Sequence, residues 1–293
     1  MASVAHELEY LATLAGIRIS NSLSDRSADR FGAALGNVMY HLLDSRRQIA
    51  VDNLTRALGS TLSRERIDRI ARQVFANVGK TLVESSRLQK LGRDRAARMV
   101  TGPGRELFDR AMANGRGAIL LTAHFGNWEL LGAWLASLGY PTDFVVATQH
   151  NPKVDRLLQE NRRALGVEVI STATSARPVF KALKANHVIA LVADQHAPGG
   201  SLVLDFFGRP AAWSKGLALF SIRSESPLIP VLLRRESFDR HILMPGDLIL
   251  PPDSGDEEKD IESMIVKYRG FLEAGIRAYP DQWMWTHRRW KLD

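Results

Sequence analysis

Two kinds of hydrophobic spacing divide this chain. Up to about residue 100, apolar positions recur every three or four residues, as on one face of a helix. In "DSRRQIAVDNLTRAL", Ile49, Val51, Leu54 and Leu58 fall near one face. In "SRERIDRIARQVFANVGKTLVESSRL" the same period continues, and Ser63 ahead of Arg64, Glu65 and Arg66 is a capped helix start. The segment "VTGPGRE" interrupts this region. Beyond it, short apolar runs alternate with helical stretches. "GAILLTA", "DFVVAT", "VEVIS", "VIALVAD", "LIPVLLRR" and one or two strands in "HILMPGDLIL" are predicted strands. Between them, "NWELLGAWLASLG", "KVDRLLQENRRALG", "ARPVFKALKAN" and "AAWSKGLALFSIRS" are predicted helices, and a last helix covers about 259–278 after the acidic loop "PPDSGDEEKD". Such alternation predicts an α/β fold, a mixed and partly parallel sheet flanked by helices, behind a helical N-terminal region. The expected division is 1–100 for the helical region and 101–293 for the α/β core, the two integrated as one domain.

The chemistry gathers where the first long strand ends. His124 follows "GAILLTA", at the carboxyl edge of the sheet, where open α/β folds bind ligands. Gly126 lets the chain turn, Asn127 is placed to cap a helix starting at Trp128, and Glu129 falls in its first turn. A turn between them would bring the Glu129 carboxylate to one imidazole nitrogen, fixing the tautomer so that the other nitrogen takes a proton. No G-x-S-x-G elbow occurs in the chain, and there is no cysteine, so this base comes without a protein nucleophile. The substrate then brings the nucleophile, most simply a hydroxyl. The plain alternative is a satisfied histidine beneath a loop and an exposed helix cap.

Composition narrows the partners. A formal net charge of +7 favours acidic ones: nucleic acid, anionic lipid, a phosphorylated substrate or an acidic carrier protein. The opening "MASVAHELEY" lacks a basic start followed by an apolar block, so no cleavable leader is expected. No run approaches the roughly 18 apolar residues of a spanning helix. "LEYLATLAGIRI" and "FGAALGNVMYHLL" nevertheless have broad apolar faces, suited either to a membrane surface or to the core.

"HFGNWE" resembles the H-x-x-x-x-[DE] signature of the glycerolipid and lysophospholipid acyltransferases. The longer "AHFGNWELLG" is similar to the bacterial branch that adds secondary acyl chains to lipid A, the lauroyl and myristoyl acyltransferases. The resemblance runs through "RRQIAVDNL", "NPKVDRLLQENRRALGVEVI", "ADQHAPGGSLVLDFFGRPAAWSKGLALFS" and "YPDQWMWTHRRWK", nearly the whole chain. It implies transfer of a fatty acyl group from a carrier thioester to a hydroxyl of a phosphorylated glycolipid, in a late acylation step of lipid A biosynthesis. Acyl carrier protein or coenzyme A thioester is the implied co-substrate, with no cofactor and no metal. The implied location is the cytoplasmic face of the bacterial inner membrane.

Residue by residue, the resemblance places the base on His124 and its carboxylate on Glu129. It places a phosphate-binding arginine on Arg162, with adjacent Arg163 as a substitute, and lipid or acyl contacts on Phe206, Phe207 and Gly208. Asp194 and Gln195 are expected at a strand end facing the same cleft and organising it, and Asn127 is counted with them among the substrate-binding residues. The chain departs from familiar members at its start, where Glu7, Glu9, Arg18 and Asp25 break the apolar anchor. Peripheral attachment is expected instead. The departure also leaves room for other glycolipid acceptors, such as mannosylated phosphatidylinositol acylated from coenzyme A.

Three rival readings concern other residues. His124, Asp194 and His196 form a thin metal set without clear further ligands, and His196 and His187 otherwise read as loop histidines. The terminal "THRRWK" carries no nucleic-acid motif, so no nucleic-acid partner is expected. Trp283, Trp285, Arg288, Arg289, Trp290 and Lys291 suit either a membrane interface or plain packing. A non-catalytic lipid-binding scaffold would lack the His124 and Glu129 pair.

Overall fold

The computed structural model describes residues 2–197 and 199–291. Five helices come first: α1 (Ala2–Ser22), α2 (Asp25–Leu42), α3 (Asp44–Leu58), α4 (Arg64–Leu91) and α5 (Arg93–Arg98). Ser24 and Ser63 cap α2 and α4 by accepting from the N–H of Ser27 and Arg66. The alternating part runs β1 (Val100–Thr101), α6 (Arg105–Met112), β2 (Ala118–Thr122), α7 (Glu129–Ser137), β3 (Thr142–Val146), α8 (Pro152–Ala164), β4 (Val167–Ser171), α9 (Arg177–Lys184) and β5 (Val188–Val192). It closes with β6 (Ser201–Phe206), β7 (Arg209–Ser214), α10 (Gly216–Ser224), β8 (Leu228–Ser237), β9 (Arg240–Pro245) and α11 (Glu257–Ala278).

The main sheet has strand order β1-β9-β8-β2-β5-β3-β4. Its neighbours pair in parallel, apart from the antiparallel pair β8 and β9. The mixed, largely parallel α/β architecture expected from the alternation is the one found. β2 is central, buried along its whole length, which is why "AILLT" reads as an unbroken apolar run rather than an alternating one. The N-terminal helices share the core of the sheet: Leu54, Ile70 and Phe75 pack in one cluster with Ile119, Phe125 and Tyr268. Two helices approach closely through small residues. A Cβ on Gly36 would stand 2.1 Å from the Phe75 carbonyl oxygen, and one on Gly79 2.2 Å from that of Gly32.

One predicted helix is corrected. "AAWSKGLALFSIRS" divides into strand and helix: Ala211 to Ser214 belong to β7, and α10 starts at Gly216. β6 and β7 form a separate antiparallel hairpin in which Phe206 faces Arg209 across a two-residue turn. Phe207 and Gly208 in that turn both have positive φ, 55° and 77°, the backbone of the tight turns that suit a twisted hairpin. The turn carries only one glycine, so its signal in the sequence is faint. The Asp205 carboxylate accepts from the N–H of Gly208, and Glu273 accepts from that of Phe207.

Between α4 and β8 lies a buried charged pair. Arg235 donates to both carboxylate oxygens of Glu84, at 2.8 and 2.6 Å, and to the Thr81 hydroxyl at 2.6 Å. His241 Nε2 stands 3.4 Å from the same carboxylate. Burial pushes the Glu84 carboxyl up, but the charge and hydrogen bonds of Arg235 and His241 outweigh it and hold the group at about 2. The folded protein therefore binds this proton less readily than the unfolded chain. Its stabilisation is present above the ordinary value of 4.5 and is lost as pH falls through about 2. Glu84→Gln strands the Arg235 charge, and the expected cost at neutral pH is about 3–5 kcal/mol in urea unfolding. The deficit against the wild type should narrow as pH is lowered from 4.5 towards 2; a constant deficit would show that the carboxylate's charge is not what stabilises the fold.

Candidate functional site

β2 and β5 lie side by side with Thr122 opposite Val192. Two residues beyond each strand end stand His124 and Asp194, which the register makes neighbours although 70 residues separate them. Asp194 Oδ1 lies 2.8 Å from His124 Nδ1, and Oδ2 accepts from the His124 backbone N–H at 3.0 Å. The Trp283 indole N–H donates to Oδ2 at 2.7 Å. Asp194 is nearly sealed, 2 % exposed, whereas the imidazole is 20 % exposed. Burial would raise the Asp194 carboxyl, but the His124 charge and the hydrogen bonds from its ring, Trp283 and the His124 backbone bring it below the usual carboxylate range. An ionised Asp194 makes Nδ1 the protonated nitrogen and leaves the lone pair on Nε2. Gln195 Nε2 is 3.5 Å from that nitrogen. Among the described residues, no serine or threonine hydroxyl hydrogen-bonds the ring.

The loop after His124 is held by its surroundings. Gly126 adopts φ +56°, and a Cβ there would lie 1.8 Å from the Leu233 carbonyl oxygen, so no other residue fits. Its N–H donates to the Gln282 carbonyl, and its own carbonyl accepts from Thr81 at 2.8 Å. The His124 carbonyl accepts from Met284 N–H, which straps the 282–285 segment across the motif. Val74, Thr81, His124, Trp128, Trp283 and Met284 line a narrow cleft of about 10 Å³. The Trp128 ring meets the imidazole edge at 4.8 Å between centroids.

Several expected positions differ. Glu129 does not carry the imidazole: its carboxylate takes a two-point bond from Arg162, Nε at 3.0 Å and Nη2 at 2.6 Å. Glu129 leads α7 while the Asp194 carboxylate already fills the place at Nδ1. Arg162, expected to meet a phosphate, thus fixes α8 to α7, and both partners are largely buried, 16 and 20 % exposed. Burial lowers the Arg162 guanidinium, but Glu129 and Asp155 more than offset it and hold it raised. Arg163 is half exposed and faces Glu168 at 3.7 Å. Asn127 does not cap α7, whose first residue is Glu129; it turns inward and donates to Glu84 at 2.9 Å.

Phe206 is fully buried among Phe207, Trp213, Trp283 and Trp290. Phe207 lies under the Arg277 guanidinium at the hairpin turn, which Gly208 completes. At the C-terminus, plain packing is the reading the structure gives for Trp283, Trp285, Arg289 and Trp290, all buried; Arg288 and Lys291 are exposed. His196 N–H donates to His287 Nε2, so these loop histidines meet each other. Burial drives His287 down to about 4, with Lys291, His124 and Arg289 adding to the fall against the opposing pull of Asp194. His187 pairs with Asp143 ahead of β5. Among the described residues no group of three histidines, aspartates or glutamates is placed to hold a metal ion. Sequence reasoning missed Trp283, Thr81, Glu84, Arg235 and Gln282, whose bonds span 40 to more than 150 residues and leave no local signal.

Comparison with known proteins gives the family. The profile of the family described as bacterial lipid A biosynthesis acyltransferase matches residues 3–292. A lipid A biosynthesis lauroyltransferase of Escherichia coli (strain K12) is 26 % identical over 264 residues, 89 % of this chain and 84 % of that protein. A phosphatidylinositol mannoside acyltransferase of Mycolicibacterium smegmatis is 25 % identical over 248 residues, 82 % of this chain and 78 % of that protein. Its counterpart in Mycobacterium tuberculosis (strain ATCC 25618 / H37Rv) is 31 % identical over 132 residues, 43 % of this chain and 42 % of that protein. With a match over nearly its whole length, the chain belongs to the bacterial lipid A biosynthesis acyltransferase family, and it is an O-acyltransferase.

Proposed function

We propose that this enzyme moves a fatty acyl group from a carrier thioester to a hydroxyl of a phosphorylated glycolipid, in a late acylation step of lipid A biosynthesis. The observation that carries the reading is the His124–Asp194 pair at the sheet's carboxyl edge, beside a cleft that His124 helps to line. The acceptor hydroxyl gives its proton to His124 Nε2 as its oxygen attacks the thioester carbonyl. Asp194 holds the ring and balances the imidazolium. The carbon–sulfur bond then breaks, the ester forms, and the carrier thiolate takes the proton back. Glu129 serves by holding Arg162, whose Nη1, outside the two-point bond, would meet a phosphate of donor or acceptor. Phe206 and Phe207 would support the acyl end from the aromatic cluster behind the cleft.

A second acceptor keeps the same chemistry. Two relatives are named for phosphatidylinositol mannoside, and no described helix is long and apolar enough to cross a membrane. Attachment at the membrane surface suits either acceptor. On α1, Val4, Leu8, Leu11 and Ile19 lie on one face and are 64, 64, 51 and 48 % exposed. Elsewhere on that helix, the His6 carbonyl and Glu9 carboxylate both accept from Asn151 at 2.8 Å, which docks it on the start of α8. The exposed face would lie in the lipid surface, and the net charge of +7 would favour anionic headgroups and an acidic carrier.

Two experiments test this. The purified enzyme is offered acyl carrier protein and coenzyme A thioesters against a tetra-acylated lipid A precursor and a mannosylated phosphatidylinositol. Transfer should fall by about 10²–10⁴ in both His124→Ala and Asp194→Asn with the fold unchanged. Glu129→Gln should cost less than Asp194→Asn; the reverse order would return the imidazole's support to Glu129. Transfer to the mannoside alone would move the acceptor and keep the mechanism. Separately, Leu8→Glu with Leu11→Glu should weaken binding to anionic vesicles at least about tenfold, from the apolar area removed from the surface. Unchanged binding would show that α1 does not touch the bilayer.

A further inference from the structure

The last turn of chain buries an arginine that the mechanism above does not use. Arg289 has no exposed surface. Its Nη1 donates to the Ala212 carbonyl at 2.7 Å, and its guanidinium lies over Trp213 at 4.4 Å and Phe206 at 5.2 Å. Among the described residues, no carboxylate is within ion-pair distance of it. A charge taken fully out of water without a contact partner is costly, so its compensation comes from the ring faces and from a carboxylate at longer range.

The packing identifies that carboxylate. The Phe206 ring that carries Arg289 also meets Trp283, at 5.8 Å between centroids, and Trp283 is the indole that donates to Asp194. The Trp213 ring meets Tyr268, whose hydroxyl donates to the Thr122 carbonyl at the end of β2. Two rings in series, Phe206 and Trp283, thus link Arg289 to the carboxylate of the pair. Low-dielectric rings between two charges transmit their interaction rather than screen it.

We propose that Arg289 is a positioning residue of the acyl-transfer site, acting through Asp194: a buried cation two rings away competes with the imidazole for the carboxylate's negative charge and so tunes how His124 takes the acceptor's proton. This rests on the reading of His124 as the base. Burial brings Arg289 down to about 10, with Asp194 and Tyr268 pulling the other way, so it remains a cation at neutral pH. Burial, with the Asp194 charge, raises Tyr268, which stays neutral. The other groups around the pair are few. Lys291 and Arg289 repel a proton on His196 and His287. Glu129 and Arg162 neutralise each other on α7 and α8, as Glu84 and Arg235 do between α4 and β8.

The test is the pH profile of kcat/KM for wild type, Arg289→Met, Arg289→Gln and Arg289→Lys, with His124→Ala as reference. Glutamine keeps a polar N–H donor without the charge. In the two neutral variants the acid limb should move up by about half to one pH unit, with activity recovered to within about threefold at alkaline pH. The lysine variant should keep the wild-type limb. An unmoved limb in the methionine and glutamine variants overturns the proposal. So does failure of both to fold beside a normal lysine variant, since the residue is then structural. If instead wild type shows no acid limb, or His124→Ala turns over normally, the base reading fails and not the role of Arg289 alone.

Discussion

The bond between Glu84 and Arg235 is the constraint on which the site is built. Both side chains are buried, and each alone would cost several kcal/mol to bury, about as much as the net stability of many domains. Together they form a polar block with both ends used. Towards β8, Arg235 fills both carboxylate oxygens; towards the motif, Glu84 accepts from Asn127 and Thr81 reaches the Gly126 carbonyl. The loop after His124 is thus fixed by a charged pair that cannot shift without stranding a charge. A hydrophobic contact of similar area would stabilise the fold as well, but it would not set the direction of Asn127 or the depth of Gly126.

This explains which parts of the site could be seen in the sequence. The strand "AILLT" and the placement of His124 just past it are local, because a buried central strand and its exit are written in consecutive residues. The partner of His124 is not local. Spacing alone offered Glu129, five positions away on the next turn. The sheet instead sets β5 beside β2, and Asp194 arrives from 70 residues on. The sequence did mark Asp194 and Gln195 as residues at a strand end, but strand order, which decides that they face His124, is a global property. The hairpin of β6 and β7 was lost for a different reason: a phenylalanine takes the positive-φ position where glycine or asparagine usually announces a turn.

The C-terminal residues show the same limit from the other side. A cluster of tryptophans and arginines near a chain end reads as a surface device, because composition carries no direction. Here the segment turns inward. Gln282 accepts from the Arg235 N–H and through its carbonyl from Gly126, Trp283 holds Asp194, Asn53 of α3 donates to the carbonyls of Trp285 and His287, and Arg289 is sealed beneath them. One strap joins the N-terminal helices, the motif loop and the dyad carboxylate. The helical region ahead of the sheet is therefore part of what shapes the cleft, since α4 supplies Val74 and Thr81 to its wall.

On the proposed mechanism, in which the acceptor hydroxyl attacks the thioester directly, the enzyme has to position two substrates at once, and its own groups must not compete as nucleophiles. The arrangement around His124 meets that demand by elimination and by rigidity. One ring nitrogen is committed to Asp194, so only the other can take a proton, and among the described residues no protein hydroxyl sits on it. Asp194 is in turn committed on both oxygens, to the ring, to the His124 backbone and to Trp283, so the carboxylate has no slack with which to rotate. Because the rate of such a step depends steeply on sub-ångström placement of the base relative to the incoming oxygen, a fully used carboxylate contributes by holding the imidazole still as well as by its charge. The same argument accounts for the length of chain devoted to the site: four separate segments, α4, the β2 exit, the β5 exit and the 282–285 strap, each remove one way for His124 to move.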